Sequence, residues 1–273
     1  MTTKFKPPVL AARSPLLDPR RLRICVFGAS GSGKTTFGSQ FPRHIFFDLD
    51  AGAEAVSIRP FPAEVPADFA AHCRAQKPPI TPSRWTWLRY GVQAAIDSGE
   101  GEALIIATID AACDLAFDHV CAEFGITHPD DRPSQKAQMW GRINREVEGL
   151  LKATRAHSGA VVFISHETQR DYDPEGNAIG MFDKNTRDVR TRYVPSLRER
   201  PRVALEKVCS IIGRAYIDDQ GARWLYIGTN PKFSTKLRIP PSVADLFEDR
   251  IPLGYDALLE PFRAAYKKLN AEP

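Results

Sequence analysis

A glycine-rich stretch near the amino end of the chain, GASGSGKTT at residues 28–36, has the residue types and spacing of a phosphate-binding loop. It satisfies the pattern GxxxxGK[ST] and lies between an apolar run and a helical pattern. Glycines let backbone N–H groups turn toward phosphates, the lysine reaches the β- and γ-phosphates, and the threonine hydroxyl ligates Mg²⁺. We therefore predict a nucleotide site made of Gly28, Ala29, Ser30, Gly31, Ser32, Gly33, Lys34, Thr35 and Thr36, with Lys34 as a catalytic residue and Thr35 as a metal ligand.

This loop alone does not distinguish a kinase, a GTPase, a transporter ATPase and a recombinase. A GTPase needs a guanine-recognition signature of the NKxD type, and the sequence contains none. A small-molecule kinase needs a mobile, arginine-bearing lid over the phosphates, and residues 168–202 are a candidate for one.

A phosphate-binding loop normally works with a carboxylate at the end of a second apolar strand, which helps to hold Mg²⁺. In the stretch EALIIATIDAACDL the apolar run ends on Ala107, and the first acid, Asp110, follows three residues later. Asp110 is therefore the second candidate metal ligand. Three residues of extended strand span about 10 Å, which argues against a simple shift of the acid along the strand. As an alternative, Asp110 opens the following helix, where an acid favours the amino terminus.

Strand and helix patterns alternate along residues 21–167, which predicts an α/β fold with a mostly parallel, doubly wound sheet and helices on both faces. A hairpin turning at Gln220 and Gly221 follows near the carboxyl end. We expect a flexible leader over residues 1–20 and a single domain over residues 21–273. Within that domain we expect a proline-rich surface insertion at about residues 51–83 and a long basic loop at about residues 168–202.

Composition limits the compartment and the class of protein. The 273 residues are 43% apolar and 26% charged with a net charge of +4, as in ordinary globular domains. The amino-terminal residues lack the apolar run of a secretory signal, and no apolar run approaches the length of a membrane span. Five cysteines without a CxxC pair indicate neither a disulfide framework nor a zinc site. We expect a cytoplasmic protein with no membrane partner.

The stretch HIFFDLDAG resembles the RecA-like P-loop ATPases, in which an acid-x-acid pair ends the strand after the first helix. With DLAFDHVCAEFGITHPDD, AVVFISHE and TNPKFSTKLRIP, in that order and spacing, the chain is similar to the short RecA-like ATPases of bacteriophages that act in single-strand annealing and recombination. This resemblance implies ATP and Mg²⁺ as cofactors, a bacterial or phage-infected host cell, and a ring or filament with ATP between subunits. It also implies catalytic roles for Asp50, which would activate water, and His166, which would sense the γ-phosphate.

The same resemblance implies that a basic segment reaches the nucleotide of a neighbouring subunit, for which Lys236 and Arg238 are the candidates, with Lys232 nearby. A solvated basic turn is the alternative. The family register also puts the magnesium-organising acid at Ala107 and the next hydroxyl at Thr108. Three explanations stay open: an engineered substitution that slows hydrolysis, a natural loss in a protein that binds ATP with little turnover, or replacement by Asp110.

Positive charge is concentrated between Lys184 and Arg202. Arginine-rich flexible segments suit a sequence-independent phosphate backbone, and an interleaved aromatic can stack on a base. The candidates for contact with single-stranded DNA are Arg187, Arg190, Arg192, Tyr193, Arg198, Arg200 and Arg202. A solvated charged loop is the competing interpretation.

The leading hypothesis is an ATP-dependent RecA-like protein that oligomerises on single-stranded DNA in recombination, annealing or repair, with other recombination or replication proteins as further candidate partners. The alternative is an ATP-gated assembly module with little hydrolysis. A small-molecule kinase ranks third.

Overall fold

The structure, a computed structural model, describes residues 17–58, 60–62, 64–175, 178–179 and 189–271. The strands are β1 (Arg23–Gly28), β2 (His44–Asp48), β3 (Ala103–Ala107), β4 (Ala160–Tyr172), β5 (Arg190–Pro195), β6 (Ile211–Ile217), β7 (Arg223–Tyr226), β8 (Lys236–Leu237) and β9 (Arg250–Pro252). The α-helices are α1 (Lys34–Ser39), α2 (Ala67–Ala75), α3 (Arg84–Ser98), α4 (Ile109–Phe124), α5 (Lys136–Ala153), α6 (Glu199–Val208) and α7 (Tyr255–Asn270).

The strands form one sheet in the order β2-β3-β4-β1-β6-β7-β9, and β5 and β8 pair with β4 and β6 outside this path. The first five strands of that order are parallel, whereas β7, β9, β5 and β8 run antiparallel to their neighbours. Because parallel strands end at the same edge, the segments after β1, β2, β3 and β4 meet there. Gly28 at the end of β1 is level with His166 on β4 and Ala215 on β6.

Two apolar layers cover the sheet, one on each face. Alternation along β1 sends Cys25 and Phe27 into one layer and Ile24 and Val26 into the other. Helices α3, α4, α5 and α6 pack on the first face, and α1 and α7 pack on the second. The predicted fold class, a mostly parallel α/β P-loop core with helices on both faces and a carboxyl-terminal hairpin, is confirmed.

The hairpin is formed by β6 and β7, which pair from Arg214 opposite Tyr226 to Ile217 opposite Arg223. Its turn contains the predicted Gln220 and Gly221, and Gly221 adopts φ +81°. Within the described part of the chain, no helix is both long and apolar enough to cross a membrane.

The proline-rich insertion is less peripheral than the sequence predicts. It contains helix α2, whose Phe69 and Cys73 are buried. Phe61 donates its backbone N–H to Phe46 on β2 and packs its ring on Phe47, with centroids 4.7 Å apart. Aromatic side chains therefore attach this segment to the core. Of the predicted leader, residues 1–16 lie outside the described residues.

The predicted basic loop over residues 168–202 is wrong in the parts that the structure describes. Strand β4 continues to Tyr172 and pairs antiparallel with β5, from Glu167 opposite Pro195 to Tyr172 opposite Arg190. Helix α6 then begins at Glu199. This two-stranded extension is polar and half-exposed, so it lacks the apolar periodicity by which a strand is recognised in a sequence.

Candidate nucleotide-binding site

The loop at residues 28–36 connects the end of β1 to α1, as predicted, and its glycines are required by geometry. A Cβ atom on Gly28 would overlap the carbonyl oxygen of Ala215 on the neighbouring strand. Gly31 and Gly33 adopt φ +77° and +94°, the left-handed region that other residues avoid. Successive N–H groups in such a turn form a concave nest for anions. The residues present therefore fit a nucleotide polyphosphate.

Lys34 lies inside this loop with only 6% of its surface exposed. Its Nζ donates hydrogen bonds to the carbonyl oxygens of Gly28 at 2.9 Å and Ala29 at 2.7 Å. Burial lowers the pKa of Lys34, and the nearby carboxylates of Asp110, Glu167 and Asp50 oppose that shift. Three acids are therefore close enough to affect the pKa of Lys34, the residue predicted to bind the phosphates.

Asp110 lies in the first turn of α4, and Thr108 caps that helix by accepting a hydrogen bond from Ala111 N. The Asp110 carboxylate accepts hydrogen bonds from Ser165 Oγ at 2.5 Å and from His166 N at 2.7 Å, both at the end of the sheet portion of β4. Burial raises the pKa of Asp110 to about 6, despite these two donors. The alternative prediction, that Asp110 opens the following helix, is confirmed, and the 10 Å displacement along a strand does not apply because the chain turns into α4 and places the carboxylate at Ser165 and His166.

Ala107, at the position where the family resemblance expects an acid, is 2% exposed and packs in the apolar layer on the α1 face. Its methyl group offers no metal ligand. Among the described residues, no group of three His, Cys, Asp or Glu side chains is arranged to hold a metal ion. Mg²⁺ often keeps waters and binds through one or two carboxylates plus substrate phosphates. The site therefore fits Mg²⁺ carried by a nucleotide, with Thr35 and Asp110 as candidate protein ligands.

Asp50 and His166, the two other predicted catalytic residues, lie next to each other. The Nε2 atom of His166 is 3.7 Å from Oδ2 of Asp50, and their side chains are 48% and 32% exposed. Asp48 has a different role, because its carboxylate accepts the N–H groups of Gly52 and Ala53 and closes the turn after β2. A histidine beside a carboxylate at the loop edge can orient water or bind a phosphate oxygen.

An ion pair that the sequence does not predict joins Glu167 on β4 to Arg214 on β6. The guanidinium donates from Nε at 2.8 Å and from a terminal nitrogen at 3.2 Å, and both side chains are less than one-fifth exposed. The same guanidinium lies over the rings of Tyr193 and Phe233, at 4.5 and 4.8 Å from their centroids. A charged residue in the otherwise apolar run CSIIGRAYI was the available signal.

The predicted DNA-contacting residues fall into two groups. Arg190, Arg198 and Arg200 are exposed, although the Arg198 guanidinium also stacks on Trp140 at 3.6 Å. The side chains of the second group pack against other side chains of the protein. The guanidinium groups of Arg192 and Arg202 lie over the Tyr172 ring, 5.3 and 5.9 Å from its centroid.

Arg202 is 7% exposed and bonds Glu206 within α6, so it is unsuited to a surface contact. Tyr193 packs on Phe233 and under Arg214, so its ring is not free to stack on a base. Arg187 and Lys184 lie outside the described residues.

The candidate inter-subunit residues lie in the segment that contains strand β8. The predicted turn at TKLR is instead a short strand, β8, because Lys236 and Leu237 pair with Ile212 and Ile211. The Lys236 amine donates to the Glu206 carbonyl. Arg238 is exposed, and its N–H bonds Ser210, which precedes β6. Lys232 is exposed, and its carbonyl accepts Tyr193 N.

With this geometry established, comparisons with known proteins identify the family. A family model described as "AAA domain" matches residues 20–239. The chain belongs to this AAA domain family. Among solved structures, the AAA domain is similar to one described as the crystal structure of the RadB recombinase, at 18% identity and a TM-score of 0.35, over 76% of this chain and 80% of that one. No curated protein matches the sequence. Family membership assigns the loop at residues 28–36 to a P-loop ATPase.

Proposed function

We propose that this AAA domain protein binds ATP with Mg²⁺ at the loop of residues 28–36 and uses ATP to assemble on single-stranded DNA in recombination, annealing or repair. The observation that carries the nucleotide part is the glycine loop with Lys34 buried inside it, where its amine bonds the carbonyls of Gly28 and Ala29. Bound Mg²⁺ would neutralise phosphate charge, and this chain's own residues would hold the phosphates and orient water. Asp50 beside His166 is the pair suited to that water.

The proposal includes an oligomer with ATP between subunits, and the position of Arg238 decides which nucleotide that residue could contact. Arg238 bonds Ser210, five residues before the Ala215 that adjoins Gly28, which is about 16 Å along a strand. That distance exceeds the reach of an arginine side chain. If Arg238 contacts bound phosphates, they are therefore those of a neighbouring subunit, and repetition of that contact would close a ring or extend into a filament.

Weak hydrolysis, the basis of the ATP-gated assembly alternative, is supported by Ala107. The methyl group has no oxygen for Mg²⁺, and the Asp110 carboxylate already accepts two hydrogen bonds from β4. ATP binding then drives assembly, and slow turnover leaves the assembled state long-lived. This version of the proposal differs from the leading one only in the rate of phosphate release.

Nucleotide binding is tested with a fluorescent ATP analogue titrated into the full chain. Lys34→Ala should weaken binding at least 100-fold, because the amine is the charged donor inside the loop. Unchanged binding in Lys34→Ala would overturn the site. Phosphate release measured with and without oligo(dT) separates the two versions, since only the hydrolysing version should show stimulation.

DNA binding is tested by anisotropy of labelled oligo(dT) at 50 and 200 mM salt. Arg190→Ser with Arg200→Ser should lower affinity about tenfold and reduce the salt slope by about 1.4, at about 0.7 for each phosphate contact on single-stranded DNA. The matched control is Arg74→Ser with Arg145→Ser, which removes two exposed arginines from α2 and α5. If wild-type protein does not bind oligo(dT) at 50 mM salt, the DNA part of the proposal is wrong.

A further inference from the structure

Arg223 on β7 lies directly against the phosphate-binding loop. A Cβ atom built on Gly33, the last glycine of the loop, would be 2.8 Å from Arg223 Cδ and 3.2 Å from its Nε. Leu253 Cδ2 is 3.2 Å from the same point. The stem of Arg223 therefore lies on the loop at a position where Gly33 leaves room for it.

The backbone of Arg223 is fixed by strands on both sides. Arg223 pairs with Ile217 on β6, and its carbonyl oxygen accepts a hydrogen bond from Leu253 N at 3.0 Å. Leu253 precedes α7, whose first residue, Tyr255, donates its N–H to Gln40 just after α1. The hairpin and α7 thus hold Arg223 beside the loop independently of any ligand.

The guanidinium of Arg223 has no hydrogen bond, ion pair or ring contact within the described ranges, and the residue is exposed. Two neighbouring arginines differ in this respect. Arg214 is paired with Glu167, and Arg250 lies over the Trp224 ring at 4.7 Å. Arg223 is therefore a positioned cation with all of its donors available beside a loop built for anions.

We propose that Arg223 binds the phosphates of a nucleoside polyphosphate held by its own chain's loop. Lys34 contacts the carbonyls of Gly28 and Ala29 at the start of the loop, whereas Arg223 lies at Gly33, at its end. Lys34 and Arg223 would then bind the polyphosphate from opposite ends of the loop. A guanidinium suits this task because its planar donors pair with two phosphate oxygens at once. The assignment rests on the proposed nucleotide site.

The test is a titration of the full chain with the fluorescent ATP analogue, repeated with unlabelled ATP by calorimetry. Arg223→Gln keeps most of the stem and removes the charge, and it should weaken ATP binding about 10- to 100-fold. Arg223→Lys should recover part of the loss, because it restores the charge without the paired donors. Arg250→Gln is the matched control and should bind ATP as wild type does.

Thermal unfolding without nucleotide separates a binding effect from a folding effect. Arg223→Gln should melt within about 2 °C of wild type, because its guanidinium makes no contact that holds the fold. ATP binding by Arg223→Gln within twofold of wild type, while Lys34→Ala loses binding, would overturn the role of Arg223 and leave the proposed function standing. Absence of ATP binding by wild-type protein would overturn both.

Discussion

Asp110, in the first turn of α4, accepts a hydrogen bond from Ser165 at the end of the sheet portion of β4. Ser165 Oγ also accepts a hydrogen bond from Ser196 N, just after β5, at 3.1 Å. One carboxylate therefore links the segment after β3 to the base of the two-stranded extension. The same carboxylate is close enough to Lys34 to affect its pKa. The nucleotide site and the arginine-bearing extension are physically joined through this residue.

The raised pKa of Asp110 predicts a pH dependence of stability. Burial raises the pKa from 3.8 to about 6, so between these values the folded protein keeps a proton that the unfolded chain has lost. The free energy of unfolding contributed by this group is therefore highest below pH 4 and falls as pH rises to 6, by roughly 3 kcal/mol.

Asp110→Asn removes that titration. Urea unfolding at pH 4 and pH 7 should show the variant gaining roughly 2 to 3 kcal/mol relative to wild type at the higher pH. The other carboxylates contribute equally to the pH dependence of both proteins, so their contribution cancels in the difference. If the free energies of unfolding of the two proteins change equally between pH 4 and pH 7, Asp110 does not titrate in this range.

Ala107→Asp should raise ATP hydrolysis at least tenfold, because it supplies an oxygen ligand for Mg²⁺ at the end of β3. Without nucleotide the variant should be less stable by about 1–3 kcal/mol, since a carboxyl group enters an apolar layer level with Asp48. Phosphate release and melting temperature with and without MgATP measure both effects.

Ala107→Asn is the matched control, because it has nearly the same volume without the charge. It should share the loss of stability and show no gain in hydrolysis. Equal rates in the two variants would mean that the added group does not act through Mg²⁺.

Two glycines of the loop should respond differently to alanine. Gly28→Ala places a methyl group on the Ala215 carbonyl, which is backbone and cannot move without displacing β6. We expect loss of ATP binding and several kcal/mol of stability. Gly31→Ala meets no atom within 4 Å and bears only the strain of φ +77°, about 1 kcal/mol. Urea unfolding and ATP titration of both variants give the comparison, and similar losses would contradict the role of Ala215.

The β1–loop–α1 unit was predictable because its signals are local. An apolar strand, glycines at fixed spacing and a lysine follow one another directly in the sequence. The parallel sheet followed from alternating patterns for the same reason. The pairing of β4 with β5 was missed because its residues are polar and because a long polar segment separates partners such as Glu167 and Pro195.

Site residues contributed by distant strands were also missed. Arg223 contacts Gly33 although the two residues are far apart in the sequence. Glu167 on β4 likewise forms an ion pair with Arg214 on β6. Such pairs depend on sheet order, which local periodicity does not encode. Asp110 was predicted to open the helix after β3, and the structure places it there; its hydrogen bonds to Ser165 and His166 were not predicted, because these partners are distant in the sequence.

Glu167 and Arg214 should be coupled more strongly than the two residues of a surface ion pair. Both side chains are less than one-fifth exposed, and two hydrogen bonds join them. A double-mutant cycle with Glu167→Gln and Arg214→Gln in urea should give a coupling energy of about 1–3 kcal/mol. The control cycle uses Arg43 and Glu102, which are 3.5 Å apart with side chains 72% and 55% exposed, and should give less than about 0.5 kcal/mol. Glu167→Gln should also leave the Arg214 cation beside Tyr193 and Phe233 without its counterion, so this single change should cost more than Arg43→Gln. Equal coupling energies in the two cycles would mean that the Glu167–Arg214 contact is solvated and does not join β4 to β6 across the end of β1.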